Sequence, residues 1–312
     1  IKEATSSSEI EGTQATLDEV YKNEKEKEED REKALDIQEI KNYEEALYFG
    51  LKDVENKPLT EELIKRLHEI LLQGVRGQNK SPGKYKETQN SIGKRSDNLD
   101  TAKFVPASPQ TVTPLMNNML KFFEEDPTNI LYKLALMHYQ FEAIHPFRDG
   151  NGRIGRLLIL LSLYKQGILK QPLIYISEYF NSNRDEYTQR MYDLSSKGNI
   201  LEWVKFFLKA LNMQSKKSLD FAIKLDEYKK ELKVELQKTS KSMNILSIVD
   251  LLFVNPYITL NDVVNKIKVS HPASIKLINK LVSKKILVET TKRKRNKIYL
   301  AKRILDILDW KI

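Results

Sequence analysis

The chain has 312 residues, of which 40% are hydrophobic and 30% charged, and its net charge is +9. At roughly 150 residues per domain, this length predicts a folded protein of about two domains. There is no cysteine, which excludes disulfides, zinc–thiolate sites and thiol nucleophiles. The longest apolar run, Leu157 to Leu163 with one serine in it, is far shorter than the roughly 18 residues of a membrane span.

The spacing of apolar residues predicts helices over most of the chain. The chain opens with Ile1 rather than Met and has no signal-peptide core, so we expect a fragment of a cytoplasmic protein whose native start lies upstream. A first helix is predicted over residues 5–20, and a charged link follows it as far as Lys33. Further helices are predicted over residues 34–52, 60–71, 113–125, 129–144, 151–167, 183–195 and 201–236.

One stretch departs from the helical pattern. Residues 81–114 contain several prolines, a Ser-Pro-Gly turn and short alternating apolar segments. These features are typical of a loop that carries a small β-hairpin. The predicted fold class is therefore mainly α, with one small hairpin between the helices.

The basic charge is concentrated near the C-terminus. From Lys241 to Ile312 there are 15 Lys or Arg and 5 Asp or Glu, whereas the rest of the chain is close to neutral. Three helices are predicted here, over residues 244–254, 259–267 and 273–284, and then two strands, over residues 286–289 and 297–300. The strands flank a basic segment that contains Lys292 and Arg293.

This C-terminal order resembles a winged helix-turn-helix. The resemblance implies that Ser274, Lys276 and Lys280 face the major groove of DNA, while the basic hairpin binds phosphate groups. The alternative is a winged helix that contacts proteins or associates with itself.

The densest set of chemically active side chains lies at residues 145–156, which read HPFRDGNGRIGR. The glycines allow close approach of a ligand, and the start of the following helix offers free N–H groups to an anion. Arg153 and Arg156 suit phosphate oxygens, Asp149 is a typical Mg²⁺ ligand, and His145 can act as a general base. The segment predicts nucleotidyl or phosphoryl transfer without a Walker-type lysine loop.

The same segment resembles the signature of the Fic family, His-x-Phe-x-(Asp/Glu)-Gly-Asn-Gly-Arg-x-x-Arg, at every specified position. The resemblance implies a helical core in which His145 deprotonates a hydroxyl of a target protein. That hydroxyl attacks the α-phosphate of ATP, so that pyrophosphate leaves and AMP stays on the target. It also implies that Asp149 holds Mg²⁺ and that Phe147 anchors the loop. The implied ATP-binding residues of the loop are Gly150, Asn151, Gly152, Arg153, Ile154, Gly155 and Arg156.

Residues 83–93, GKYKETQNSIG, resemble the flap of the same family, a hairpin that clamps the target by pairing with its backbone. Lys86 stands where the family usually has arginine. The residues that the resemblance places beside the nucleotide or the target side chain are Ile92, Gly93, Lys94 and Arg95.

Tyr187 and Thr188 lie where members of the family often have two tyrosines over the adenine. The resemblance implies that Tyr187 stacks on the adenine, although the second aromatic ring is missing here. The alternative is that Tyr187 only packs a helix.

Residues 7–12, SSEIEG, resemble the family's inhibitory-helix motif, (Ser/Thr)-x-x-x-Glu-(Gly/Asn). The resemblance implies that Ser7, Glu11 and Gly12 form an internal brake. Glu11 would pair with Arg156 where the γ-phosphate of ATP should bind. Glu9 is the competing glutamate, but the spacing from Ser7 favours Glu11.

These features predict three parts: an inhibitory helix and charged link over residues 1–33, a Fic core over 34–238 and a winged-helix domain over 239–312. The predicted function is protein adenylylation with ATP as co-substrate, Mg²⁺ as cofactor and a target protein bound along the flap. One alternative is removal of AMP by the same site, and another is a DNA-binding regulator whose core senses nucleotide. We expect no membrane partner, and a homodimer is left open.

Overall fold

The computed structural model describes residues 1–55, 57–92, 102–239, 242–291 and 293–308. Within this part of the chain the structure consists of α-helices and one three-stranded antiparallel sheet, which confirms the predicted mainly α fold class. None of the helices described is long and apolar enough to cross a membrane. The chain forms two compact units: the first contains Ile1–Ala15 and Arg31–Lys216, and the second contains Thr16–Asp30 and Lys217–Ile312.

The elements follow one another in a mainly helical order. The helices are α1 (Lys2–Ile10), α2 (Leu17–Asn23), α3 (Arg31–Val54), α4 (Glu61–Leu71), α5 (Pro109–Glu125), α6 (Ile130–Ile144), α7 (Asn151–Lys165), α8 (Ile176–Ser182), α9 (Arg184–Lys197), α10 (Ile200–Thr239), α11 (Met243–Val254), α12 (Leu260–Ile267), α13 (His271–Ser283) and α14 (Lys302–Leu308). The strands are β1 (Tyr257–Thr259), β2 (Val288–Glu289) and β3 (Ile298–Leu300).

Helix α7 is the centre of the first unit. Its side chains from Ile154 to Leu163 are almost completely buried, and it packs against α1, α3, α4 and α6. A helix that is apolar on every face has to be surrounded by other helices, which explains why the Leu157–Leu163 run lies inside the protein. The residues at the start of α7 are therefore held by a rigid core.

The predicted helix over residues 5–20 is wrong, because the structure has two shorter helices there. Helix α1 ends at Ile10, and Gly12 adopts a left-handed φ of 101°. The N–H of Gly12 then donates to the carbonyl of Glu9, which closes the helix as glycine commonly does. Helix α2 starts afresh from a capping box of Thr16 and Glu19.

The predicted hairpin region contains one antiparallel bridge. Ile92 and Phe104 exchange both backbone hydrogen bonds, at 2.9 and 3.0 Å. Gly93, Lys94 and Arg95, which the sequence places at the tip, lie outside the described residues.

The second unit is built from α11, α12, α13 and the sheet, whose strand order is β1-β3-β2. Strand β1 was not predicted, since it has only three residues and its last residue, Thr259, also caps α12. Strand β2 is shorter than predicted because Ile286 and Leu287 pack into the core instead. Leu252, Ile278 and Leu281 belong to the same core.

The two compact units divide the chain at different places from the predicted domains. The division falls inside α10, after Lys216, rather than near residue 238. The charged link also belongs to the second unit, where the hydroxyl of Tyr257 donates to Asp18 at 2.8 Å and Lys25 pairs with Asp262 at 3.1 Å. These contacts join residues more than 230 positions apart, so local patterning does not reveal them.

Candidate functional site

The candidate site is the turn between α6 and α7. His145 ends α6 in a left-handed conformation, with a φ of 49°, which non-glycine residues rarely adopt. Gly150 precedes α7 with a φ of 74°. Between these two reversals the chain turns sharply, so that the imidazole and the first turn of α7 lie in the same region.

The inside of the turn is fixed by Phe147 and Asn151. The ring of Phe147 is fully buried, as the resemblance implied for an anchor. The side-chain oxygen of Asn151 accepts from the N–H of Phe147, and its side-chain nitrogen donates to the carbonyl of Phe147, both at 2.8 Å. Because the Asn151 side-chain amide is used inside the turn, this residue can offer an anion its backbone N–H but not its side chain.

His68 supports the turn from α4. Its ring stacks on Phe147 at 3.8 Å between centroids, and its Nδ1 accepts from the N–H of Gly83 at 2.9 Å. Its Nε2 therefore carries the proton and donates to the carbonyl of Asp149 at 2.9 Å. Burial lowers the pKa of His68 to about 4, so the ring is neutral at pH 7 and serves as a structural support.

Arg156, which is buried, forms an ion pair with the partly exposed carboxylate of Glu11 at the start of α7. Nη2 of Arg156 donates to Oε1 of Glu11 at 2.6 Å and to the carbonyl of Ser7 at 2.8 Å. Its Nε donates to the hydroxyl of Ser7, also at 2.8 Å. Burial alone would raise the pKa of Glu11, but the guanidinium of Arg156 holds this pKa below its usual value. Glu11 is therefore ionised at neutral pH.

Gly152 leaves room for this carboxylate. A Cβ atom at residue 152 would overlap Oε1 of Glu11 and would lie 2.8 Å from Nη1 of Arg156. The carboxylate of Glu11 thus lies directly against the first turn of α7, where helix geometry favours an anion. Glu9, the competing glutamate, is exposed and accepts a hydrogen bond from Asn181 at 3.2 Å.

Arg153 is buried beside the same turn. Its Nε and Nη1 make no hydrogen bond within the described structure, and the carboxylates of Glu39 and Asp149 approach it only to 3.8 Å. A buried guanidinium with unused donors is costly unless a ligand satisfies them. This arrangement fits a phosphate-binding arginine.

The carboxylate of Asp149 is the one predicted metal ligand. Its Oδ1 accepts from the N–H of Gly150 at 2.6 Å. Its Oδ2 lies 2.8 Å from where a Cβ of Gly77 would be. No group of three or more His, Asp or Glu side chains capable of holding a metal is found in the described part of the chain. Asp149 therefore fits Mg²⁺ only if phosphate oxygens complete the coordination, which is the usual arrangement for this ion.

The imidazole of His145 is held neutral. Burial lowers its pKa to about 4, and the nearby ammonium of Lys86 adds to this effect. Its Nδ1 lies 3.9 Å from Oε2 of Glu142, a carboxyl whose pKa is raised by burial to about 7. A neutral imidazole can accept a proton, as a general base must.

Three predicted ATP-binding residues are placed away from this turn. Ile154 is fully buried in the core. A Cβ of Gly155 would lie 2.5 Å from Oε1 of Glu142, so this glycine allows the close packing of α6 against α7. Thr188 donates its hydroxyl hydrogen within α9, to the carbonyls of Arg184 and Asp185.

The structure also places Tyr187 differently from the adenine-stacking prediction. Only 4% of it is exposed, its ring stacks on Phe180 at 4.5 Å between centroids, and its hydroxyl lies 2.8 Å from Nε2 of His138. The ring therefore has no face free for an adenine. The alternative reading, helix packing, agrees with the structure.

Sequence reasoning missed Glu3, a buried carboxyl that feels the charge of Arg156. Its two oxygens accept from the N–H and the hydroxyl of Ser177, at 3.2 and 2.5 Å. Burial raises the pKa of Glu3 to about 8. A glutamate in a serine-rich helix gives no signal of its burial, because the partner lies 174 positions away.

Family models match the part of the chain that forms this site. The model of the Fic/DOC family matches residues 58–163, and the model of the Fic/DOC family N-terminal region matches residues 1–52. Together these two ranges cover about half of the chain.

Among curated relatives, a probable protein adenylyltransferase of Aquifex aeolicus is 30% identical over 188 residues, which are 59% of this chain and 54% of that protein. Protein adenylyltransferase fic-1 of Caenorhabditis briggsae is 30% identical over 105 residues, which are 32% of this chain and 19% of that protein. The chain thus spans about half of the first relative and about a fifth of the second.

Solved structures show the same fold. A Fic family protein from Desulfovibrio desulfuricans G20 has a TM-score of 0.59 at 20% identity and covers 96% of this chain and 86% of its own. A Fic domain containing signaling protein from Bacteroides thetaiotaomicron VPI-5482 has a TM-score of 0.59 at 25% identity. The match covers 72% of this chain and 85% of that protein. The two family models, one of which includes the turn from His145 to Arg156, show that the chain belongs to the Fic/DOC family.

Proposed function

We propose that this protein transfers AMP from ATP to the hydroxyl of a Tyr, Thr or Ser side chain on a target protein or on itself. The observation that carries the proposal is the carboxylate of Glu11 against Gly152 and Arg156. An anion bound at a helix start and to an arginine marks a place where phosphate oxygens fit. The names of the relatives, protein adenylyltransferases, support the same reaction.

In the proposed reaction the neutral imidazole of His145 accepts the proton of the target hydroxyl. The hydroxyl oxygen forms a bond to the α-phosphorus of ATP, and the bond from that phosphorus to the oxygen bridging the β-phosphate breaks. Pyrophosphate leaves with the electron pair, and AMP stays on the target as a phosphodiester. Arg153 and Arg156 bind the β- and γ-phosphates, while the N–H groups of Asn151 and Gly152 stabilise the charge on the phosphate oxygens. The N–H of Gly150, which the resemblance also implied for this role, donates to Asp149 instead.

Asp149 is the residue that would hold Mg²⁺. When bound, Mg²⁺ neutralises phosphate charge and favours departure of pyrophosphate. The chain's own contribution is to hold the Asp149 carboxylate, through its hydrogen bond from Gly150 and the support of His68. The target would bind along the segment that contains Ile92, Gly93, Lys94 and Arg95, as in β-augmentation.

The contact of Glu11 with Arg156 is the proposed brake. Both the carboxylate and the γ-phosphate need the same donors of Arg156, so ATP has to bind without one of its arginines or displace Glu11. A triphosphate that is held differently presents its α-phosphorus out of line for attack. Ser7 serves the brake by pairing with Arg156, and Gly12 serves it by closing α1, whose last helical residue, Ile10, directly precedes Glu11.

Mass spectrometry of the Glu11→Gly protein after incubation with ATP and Mg²⁺ tests the proposed reaction. We expect a mass increase of one AMP on the protein or on an added lysate protein, and no increase with Glu11→Gly/His145→Ala. An adduct that forms equally well without His145 contradicts the proposal. Release of AMP from an AMPylated substrate by the wild-type protein would instead assign the alternative activity, removal of AMP.

DNA binding by the second unit is a second candidate function. The supporting observation is a cavity of about 780 Å³ beside α13, lined by His271 and Asn279 and by basic residues between β2 and β3, including Arg293 and Arg295. The order of α11, α12, α13 and the sheet agrees with a winged helix. Of the predicted base contacts, Lys276 is exposed, but Ser274 is buried and its hydroxyl donates to the carbonyl of His271.

Fluorescence polarisation with a labelled DNA duplex tests this second function. We expect binding that weakens with added salt and is weakened by Arg295→Ala but unchanged by His145→Ala. Lys292, also predicted to contact phosphate, lies outside the described residues. Absence of binding at low salt would favour the other use of this module, contact with a protein or with a second copy of the chain.

A further inference from the structure

Lys86 and Asn90, in the segment that resembles the flap, donate hydrogen bonds to the backbone of the turn between α6 and α7 at four consecutive residues. Lys86 donates through its ammonium to the carbonyl of Ile144 at 3.2 Å and through its backbone N–H to the carbonyl of Pro146 at 2.8 Å. Asn90 donates through its side-chain nitrogen to the carbonyl of Phe147 at 3.0 Å and to that of His145 at 3.5 Å. These carbonyls belong to residues 144–147, at the end of α6.

Lys86 and Asn90 are also bound to each other. The ammonium of Lys86 donates to the side-chain oxygen of Asn90 at 2.7 Å, which fixes the amide so that its nitrogen faces the turn. Lys86 is only 3% exposed, and burial lowers its pKa to about 8. A buried lysine is rare unless its ammonium has specific partners, and here both described partners belong to this arrangement.

We propose that Lys86 and Asn90 are positioning residues that hold the carbonyls of residues 144–147 and thereby fix the His145 imidazole beside the phosphate-binding start of α7. The role assigned to His145 rests on the proposed function. The hydrogen bonds themselves do not depend on it, so the two can be tested separately.

The left-handed conformation of His145 explains why the hydrogen bonds from Lys86 and Asn90 are needed. A φ of 49° is unfavourable for a residue other than glycine, and such a conformation persists only where its surroundings fix it. Within the turn, the N–H of His145 donates to the carbonyl of Phe141 at 2.9 Å. The carbonyls on either side are held by Lys86 and Asn90. Together these contacts fix the peptide planes that set the direction of the imidazole.

The residues that follow Asn90 in the same segment are those proposed to bind the target. Two residues after Asn90, Ile92 pairs with Phe104, so the chain that holds the base is continuous with the chain proposed to bind the target. Three charged groups face the imidazole: Lys86 from this segment, Glu11 from the end of α1 and Glu142 from α6. Of these, the ammonium of Lys86 favours the neutral imidazole, while the carboxylate of Glu11 opposes it.

Hydrogen exchange followed by mass spectrometry tests the positioning role without any need for activity. We expect Lys86→Met and Asn90→Ala to speed exchange in peptides covering residues 144–150 by about tenfold or more, with exchange of the α7 core unchanged. Lys86→Arg, which keeps a charged donor, should stay close to the wild type. Lys80→Ala removes an exposed lysine and is the matched control.

Kinetics in a Glu11→Gly background add the catalytic readout. Lys86→Met is expected to lower kcat by about tenfold or more with little change in KM for ATP, and Lys86→Arg should restore most of the loss. If folded Lys86→Met and Asn90→Ala proteins show wild-type exchange over residues 144–150, the positioning role is wrong. If exchange changes but no protein transfers AMP, the positioning role stands and the proposed function fails.

Discussion

The carboxylate of Glu11 lies 2.6 Å from Nη2 of Arg156, although the two residues are 145 positions apart in the chain. Arg156 is 1% exposed and its side chain also pairs twice with Ser7. The end of α1 therefore occupies the donors of the arginine that is best placed for phosphate.

Removing the Glu11 carboxylate should free the guanidinium of Arg156 to bind phosphate. We expect Glu11→Gly to increase the rate of auto-AMPylation by about tenfold or more, which corresponds to a decrease of about 1.4 kcal/mol in the activation free energy. The measurement is incorporation of labelled AMP at saturating ATP. Glu9→Gly is the control, because Glu9 faces Asn181 rather than Arg156, and an equal gain from both variants would contradict the assignment of Glu11.

Arg156 and Glu11 should be coupled in stability. Arg156→Met leaves the carboxylate and the Ser7 carbonyl without a donor, so we expect a loss of about 3 kcal/mol in the free energy of unfolding. Adding Glu11→Gln should recover about 1 kcal/mol, a low value because the Glu11 side chain is 39% exposed. Chemical denaturation of the two single variants and the double variant measures the coupling. Strict additivity would show that the ion pair does not stabilise the fold.

Gly152→Ala should block the site both for the Glu11 carboxylate and for the phosphates of ATP. A Cβ at this position overlaps the Glu11 carboxylate and crowds Arg156, so the brake and the phosphates are both excluded. In a Glu11→Gly background we expect Gly152→Ala to weaken ATP binding by about tenfold or more. Isothermal titration of ATP with Mg²⁺ checks this, and unchanged affinity would place the phosphates elsewhere.

Asp149→Ala should abolish the effect of Mg²⁺ on ATP binding and AMP transfer while leaving the protein folded. In the Glu11→Gly background we expect AMP transfer to fall by about a hundredfold, since phosphate charge is no longer neutralised at the proposed site. The thermal shift that Mg²⁺ adds to ATP should disappear, while ATP alone still stabilises the protein. A full Mg²⁺ response in the variant would exclude Asp149 as the ligand.

The buried carboxyl of Glu3 predicts a pH dependence of stability. Burial raises the pKa of Glu3 in the folded protein to about 8, from an ordinary value of 4.5. Between these values the unfolded chain has already lost the proton that the folded chain keeps. The wild type should therefore lose stability relative to Glu3→Gln as the pH rises from about 4.5 to 8, by at most about 1.4 kcal/mol per pH unit.

Thermal unfolding over this pH range checks the prediction. The Tm of Glu3→Gln minus that of the wild type should increase steadily from about pH 5 to pH 8. Glu9→Gln, an exposed position, should follow the wild type at every pH. A constant difference for Glu3→Gln would mean that Glu3 is ionised in the fold.

The sequence predicts the centre of the site well because its signals are local. The apolar run from Leu157 to Leu163 indicates a buried helix, and the glycines and charges before it indicate the turn. Glu11 and Gly12 directly follow the end of α1, but it was the resemblance to the family's inhibitory motif, rather than the local pattern alone, that suggested a role for Glu11. The same Gly12 also signals that the helix ends, which the predicted helix over residues 5–20 ignored.

What the sequence does not predict depends on distant partners. The burial of Tyr187 follows from Phe180 and His138, and the association of Thr16–Asp30 with the second unit follows from residues more than 230 positions later. The roles of His68 and Lys86 arise from backbone carbonyls of the catalytic turn, which no side-chain pattern records. Strand β1 escapes notice because three residues are too few to show alternation.

The position of Arg156 on α7 limits how the proposed phosphate-binding site could be redesigned. Helix α7 is buried and packs against α1, α3, α4 and α6, so a substitution that shifts it would disturb the core of the first unit. At the proposed site, a nucleotide of another size would have to be accommodated by substitutions on α1 and on residues 86–90. Attempts to change nucleotide preference should therefore mutate those two elements and leave α7 intact.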